Sequence, residues 1–302
     1  MPFPTSICKS YCLRIRWPRW PRWGRWLGVA ALGTTLCWHS AAAAETSEGA
    51  KPATSHALIW VGLPGDEPHR VLFGRVVEQW RKWLTERLSF EPSHVHVVPA
   101  TVGQAEPPGW TSTRGEMEKQ VDALRSALGS QDRLWVFLLG HANSDGQHAW
   151  FHLHGPDPRD DDLGKMFAGL NCSEQVFWLT TPVAAPFLKR LSRKGRVIVA
   201  ASGADEDNET EFAEALCTVA GRSAAESDLN KNGTVTVREL AQRVAAEVRA
   251  RYAADQRLVT EHAQWDDNGD GRGTELASEP GAGVSSQARD GALADETYVP
   301  FR

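Results

Sequence analysis

Leu134-Trp-Val-Phe-Leu-Leu139 is followed at once by Gly140-His141. Six apolar residues without alternation predict a strand covered on both faces, which is the habit of parallel sheets. Similar short runs recur outward from this one. His56-Ala-Leu-Ile-Trp-Val-Gly62 and Val95-His-Val-Val98 precede it; Gln175–Thr180 and Arg196-Val-Ile-Val-Ala-Ala201 follow. Ala149-Trp-Phe-His-Leu153 reads as part of a hairpin. Between the runs, apolar residues step by three and four. The spacing predicts helices over 71–88, 113–128, 160–170, 184–191 and 209–219. Strands alternating with helices predict an α/β fold, a mostly parallel sheet flanked by helices on both faces. In such sheets ligands bind beyond the carboxyl ends of the strands. That directs attention to Gly140–Gly146, to Thr180-Thr181-Pro182 and to Ser202, Asp205 and Asp207.

After this unit comes Asp228-Leu-Asn230-Lys-Asn232-Gly233-Thr234-Val-Thr236-Val-Arg-Glu239. Oxygen-bearing side chains stand at positions one, three and five of a twelve-residue EF-hand calcium loop. Glycine stands at six, Thr234 offers its carbonyl at seven, Thr236 stands at nine and Glu239 at twelve. The pattern predicts a Ca²⁺ site. Only Asp228 and Glu239 are charged, which places the expected affinity in the weak range of extracellular modules, about 10⁻⁴–10⁻³ M. The apolar face Val237, Leu240, Val244, Val248, Tyr252 predicts a helix leaving the loop. A second acidic stretch offers Asp266, Asn268 and Asp270 but has Ala277 at position twelve. Glu275 is the candidate substitute there; the alternative is a solvated Asx turn.

The first 44 residues hold six of the 33 basic residues and no acidic one, so the rest carries 27 basic against 38 acidic side chains, a net charge of −11. So acidic a remainder argues against nucleic acid as a partner and suits cations. Arg14–Trp26 is basic and Trp-rich, Leu27–Trp38 is apolar, and Ala42-Ala43-Ala44 is a small-residue cleavage site. This predicts a leader that engages the membrane during export, and hence a periplasmic, envelope or secreted protein. The apolar run is well short of the ~20 residues that span a bilayer. The Arg/Trp alternation leaves nucleic-acid or membrane-surface binding as an alternative. Leu36 before Cys37 has the wrong size for a lipoprotein processing site. Cys172 and Cys217 lie beyond the leader and are either one disulfide or two buried thiols. The expected organisation is a leader over 1–44, a linker over 45–55, the α/β domain over 56–220, a calcium-binding segment over 221–276 and a disordered tail over 277–302.

The order strand, Gly140-His141, hairpin, Gly155-Pro156-Asp157, two strands, Asn208-Glu209-Thr210-Glu211-Phe212 resembles the caspase-like fold, in particular bacterial exported relatives of the legumain family of cysteine peptidases. The resemblance covers about residues 56–276, including Thr260-Glu261-His262-Ala263 and the later Asp/Asn/Gly loop. It implies a catalytic histidine at His141 and a cysteine after the fourth strand. Pro182 stands where that cysteine is expected, and Ala142 where a glycine usually follows the histidine. The implied protein is a pseudo-peptidase that binds calcium and serves a binding or structural role, with a protein partner of unstated kind. The alternative is an active hydrolase that uses His141 with another nucleophile such as Thr180 or Thr181. His148, His152 and His154, with Asp145 and Asp157, form a further candidate metal cluster.

Overall fold

Each apolar run read as a strand forms one, and they lie side by side in a computed structural model that describes residues 53–99, 112–276 and 290–302. The expected leader falls outside the described residues, as do residues 277–289. Strands β1 (Ser55–Val61), β2 (Val95–Val98), β3 (Arg133–Leu139), β6 (Glu174–Leu179) and β7 (Arg196–Ala200) are parallel, in the order β2-β1-β3-β6-β7. Two short antiparallel strands, β8 (Gln264–Asp266) and β9 (Thr274–Glu275), extend the sheet past β7 to seven strands. A separate hairpin, β4 (Ala142–Ser144) with β5 (Ala149–Phe151), follows His141.

Side chains alternate across the sheet and feed two cores. On one face Ala57, Ile59, Trp135, Phe137, Trp178 and Val199 pack with α1 (Glu67–Lys82), α5 (Phe212–Ala220) and α7 (Val237–Ala254). On the other, Leu58, Trp60, Val136, Leu138, Phe177 and Ile198 pack with α2 (Arg114–Ala127), α3 (Asp160–Met166) and α4 (Ala184–Leu191). Both faces are therefore covered, which is why the strands need no polar side.

Local chemistry sets the helix ends. Helix α1 starts at Glu67, a turn before its apolar spacing begins, because Asp66 caps it by accepting the N–H of His69 at 2.9 Å and Pro68 occupies the first turn. Thr113 and Glu116 form a capping box at α2. The short α6 (Ala224–Ser227), capped by Ser223 and Glu226, stands where an EF-hand would have its entering helix. No described helix is long and apolar enough to cross a membrane.

The expectation of a disordered tail is corrected over residues 290–302. Helix α8 (Ala292–Glu296) packs on α7, with Ala294 and Val299 buried. The following residues pair with two distant parts of the chain. Val237 N–H donates to the Thr297 carbonyl and Val299 N–H to the Val235 carbonyl, both at 2.8 Å. Ser89 N–H donates to the Pro300 carbonyl and Arg302 N–H to the Arg87 carbonyl. Composition hid this because the packing comes from a few apolar residues and backbone groups. Cys172 and Cys217 are free thiols, each half-buried and not fully buried as one of the two readings had it. Burial pushes the Cys172 thiol up to about 11 and the Cys217 thiol up to about 12.

Candidate functional site

The loops beyond the carboxyl ends of β1, β3 and β7 meet around His141. Close approach of the first two needs glycine: a Cβ on Gly62 would stand 2.8 Å from the His152 carbonyl oxygen, and one on Gly140 would stand 3.0 Å from Gly62 Cα. His141 then projects between Pro64 and Glu209. Its Nε2 lies 2.9 Å from the Pro64 carbonyl oxygen and its Nδ1 lies 2.7 Å from Glu209 Oε1. The Glu209 carboxylate raises the His141 pKa, opposed by partial burial.

No sulfur or hydroxyl is hydrogen-bonded to His141 among the described residues. Thr180 Oγ1 donates instead to the Leu138 carbonyl at 2.8 Å. Thr181 is fully buried. Pro182 is buried beside Val183, whose φ of 43° is a strained left-handed conformation for a β-branched residue. Cys172 precedes β6, beside the start of β3, and its Sγ bonds the Glu174 carbonyl at 3.5 Å. The length of β3, about 20 Å at 3.3 Å per residue, separates that end of the sheet from His141.

His148, His152 and His154 do not converge as a metal cluster. His152 Nε2 faces Asn143 Oδ1 at 3.0 Å, while His148 Nδ1 faces Asp160 Oδ1 at 3.1 Å. The other Asp160 oxygen accepts from Arg190 Nε at 2.9 Å. Asp145 accepts the Gln147 and His148 N–H groups, and Asp157 accepts that of Leu153.

The two acidic loops share one conformation. In the first, Asp228 Oδ2 accepts the Gly233 N–H at 2.8 Å, Asn230 Oδ1 accepts that of Asn232 at 2.9 Å, and Asn232 Oδ1 accepts that of Thr234 at 2.9 Å. In the second, Asp266 Oδ2 accepts the Gly271 N–H at 2.9 Å, Asn268 Oδ1 that of Asp270 at 2.8 Å, and Asp270 Oδ1 that of Arg272 at 2.8 Å. The fourth residue has positive φ in both: Lys231 at 61° and Gly269 at 81°.

The closing carboxylate is where they differ. Glu239 Oε1 accepts the N–H groups of Leu229 at 3.0 Å and Asn230 at 3.1 Å. Its Oε2 accepts the Thr236 N–H at 2.9 Å and the Thr236 hydroxyl at 3.2 Å. Glu275, expected to play this part in the second loop, stands exposed on β9. Asp290 plays it instead. Its Oδ1 accepts the N–H groups of Asp267 at 3.1 Å and Asn268 at 3.4 Å, and its Oδ2 accepts the Thr274 hydroxyl at 2.5 Å. These are the second, third and ninth loop positions, the same ones Glu239 serves. Asp290 escapes sequence inspection because it lies beyond a run of small residues and outside any twelve-residue window. Burial and the nearby Asp266 charge raise its pKa.

A cavity of about 200 Å³ lies beside α7, lined in part by Val248, Glu261, His262 and Leu276. Glu261 is 3% exposed, and one of its oxygens accepts the Glu211 N–H at 2.6 Å. Burial pushes its carboxyl up to about 7 from an ordinary 4.5. Between those values the folded chain holds a proton that the unfolded chain has released. This group's contribution is therefore fully present below about pH 4.5 and is lost as pH rises through about 7, a change of about 3 kcal/mol. Urea unfolding at pH 5 and pH 8 is expected to show that loss in the wild type, and Glu261→Gln is expected to remove it. Equal pH dependence in the two proteins would contradict the assignment.

Comparison with models of known protein families found no match, and comparison with curated proteins found none either.

Proposed function

We propose that this chain is an exported calcium-binding protein built on a caspase-like α/β scaffold that has lost its peptidase chemistry. The observation that carries the calcium reading is the pairing of the two loops. Each aims three side-chain oxygens inward and is closed by a carboxylate bonded to the same loop positions. Hydrogen bonds take some lone pairs of these oxygens, and a carboxylate or amide oxygen has others to offer a cation. Asp290 also changes the expected ranking. The second loop gathers Asp266, Asp270 and Asp290 around Asn268, three carboxylates against the two of the first loop. More ligand charge favours tighter binding, so the second loop is the stronger site.

Calcium at these loops serves a structural role. The segment Asp290–Phe301 touches both: Asp290 closes the second loop, while Thr297 and Val299 pair with Val235 and Val237 of the first. A cation bound only by the folded chain stabilises it by about 2.7 kcal/mol at a hundred times Kd. The pseudo-peptidase part rests on the strand order, on His141 beyond β3, on the strained turn at Val183 and on Pro182 in the place of a nucleophile. Export rests on the sequence of residues 1–44. A protein partner at the cell envelope would use this rigid, calcium-fixed end.

Calorimetric titration of the protein with Ca²⁺ tests the proposal, with Asp228→Ala and Asp266→Ala alongside. The expected result is two binding events, of which each variant removes one. Heats identical to wild type in both variants would overturn the calcium reading.

A further inference from the structure

We infer that His69, His141 and Glu209 form a binding site for a single divalent transition-metal ion of the Zn²⁺ class, separate from the calcium loops. The three residues come from the first turn of α1, the end of β3 and the loop between β7 and α5. One ligand atom from each lies within 4.8 Å of the other two. The place is the one where parallel α/β sheets bind ligands.

The hydrogen bonds around the two imidazoles leave each of them, when neutral, one nitrogen lone pair that a metal can take. Asp66 Oδ1 faces His69 Nδ1 at 2.7 Å and also accepts the His69 backbone N–H. A carboxylate there fixes the proton on Nδ1 and leaves Nε2 its lone pair. This is the carboxylate–histidine arrangement that orients metal ligands. The Pro64 carbonyl can only accept, so His141 Nε2 carries a proton. In neutral His141 the lone pair is then on Nδ1, 2.7 Å from a Glu209 oxygen. Two lone pairs facing at that distance repel, and something positive must stand between them. In the metal-free chain that is a proton. A metal ion fills the same need and brings His69 into the shell.

The geometry is within reach. Ligands about 2.0–2.2 Å from a tetrahedral ion stand about 3.3 Å apart, so the 2.7 Å contact has to open by roughly half an ångström. The Glu209 side chain is 59% exposed and free to swing by that amount. The imidazoles are less mobile. Their rings meet edge-on with centroids 4.6 Å apart, and both lie against Phe73. Three protein ligands leave a fourth position for water. Two nitrogen donors select against Ca²⁺, which takes oxygen ligands, and favour Zn²⁺.

The test is equilibrium dialysis of the full chain, without a histidine tag and in saturating Ca²⁺, against ZnCl₂. Wild type is expected to hold one Zn²⁺, with Co²⁺ giving the visible spectrum of a tetrahedral site. His69→Ala and Glu209→Gln are each expected to weaken binding at least tenfold, and Asp66→Asn, a positioning residue, about 10–100-fold. His69 and Glu209 are partly exposed, so both variants are expected to keep the wild-type circular dichroism spectrum. Absence of stoichiometric Zn²⁺, or an affinity unchanged in both His69→Ala and Glu209→Gln, overturns the inference.

Discussion

Glu239→Ala is expected to destabilise the chain by about 4 kcal/mol without any metal present. The carboxylate is 3% exposed and accepts four hydrogen bonds, three from backbone N–H groups. Hydrogen bonds to a charged acceptor contribute about 1.5–3 kcal/mol each, and neighbouring bonds do not add fully. Alanine leaves the N–H groups of Leu229, Asn230 and Thr236 without their acceptor and removes half of the capping box of α7. Urea unfolding in chelator measures this; a loss under about 1 kcal/mol would show that water or neighbours replace the carboxylate. Glu239→Gln separates the two roles of the residue. It keeps the shape and one acceptor oxygen, so it is expected to lose the calcium response of this loop with a smaller structural cost.

Asp290→Ala is expected to cost about 3 kcal/mol in chelator, and more in calcium. It removes the acceptor for the Asp267 and Asn268 N–H groups and for the Thr274 hydroxyl. It also removes one of the three carboxylates of the second loop. A protein that binds calcium there gains about 2.7 kcal/mol at a hundred times Kd, and the variant forfeits that gain. Asp290→Asn isolates the second effect because it keeps most of the shape. Thermal unfolding with and without Ca²⁺ is the measurement. A calcium increment as large in Asp290→Asn as in wild type would remove Asp290 from the site.

The central sheet was readable in the sequence because its strands are apolar throughout. Leu134–Leu139 and Arg196–Ala201 have no solvent face to confuse their period. The short β8 and β9 were not readable. Three residues of strand carry no period, and Gln264-Trp-Asp266 merges with the acidic loop after it. The first acidic loop was readable because all of its oxygens fall in twelve consecutive residues. Half of the second was not, since Asp290 joins it only through the chain's return. The same holds beyond the carboxyl ends of the strands. His141 stands out after its strand, but Asp66 and His69 look like an ordinary helix start, and only folding brings them to Glu209.

Asp290 does for the second loop what Glu239 does for the first, but it arrives from another part of the chain. The first loop is therefore bound by a strict count: one residue gained or lost between Asp228 and Glu239 would displace the closing carboxylate. The second has no such count. Leu276 is anchored by its N–H to the Ala263 carbonyl, and Asp290 is anchored by the loop itself. The entropy of joining two fixed points grows only with the logarithm of the connecting length, about 0.6 kcal/mol for a doubling. The number of residues between Leu276 and Asp290 is thus not counted by the register of the acidic loop, as the spacing from Asp228 to Glu239 is. What holds Asp290 in place is its own set of contacts, to the Asp267 and Asn268 N–H groups and the Thr274 hydroxyl, and not its distance along the chain from Asp266.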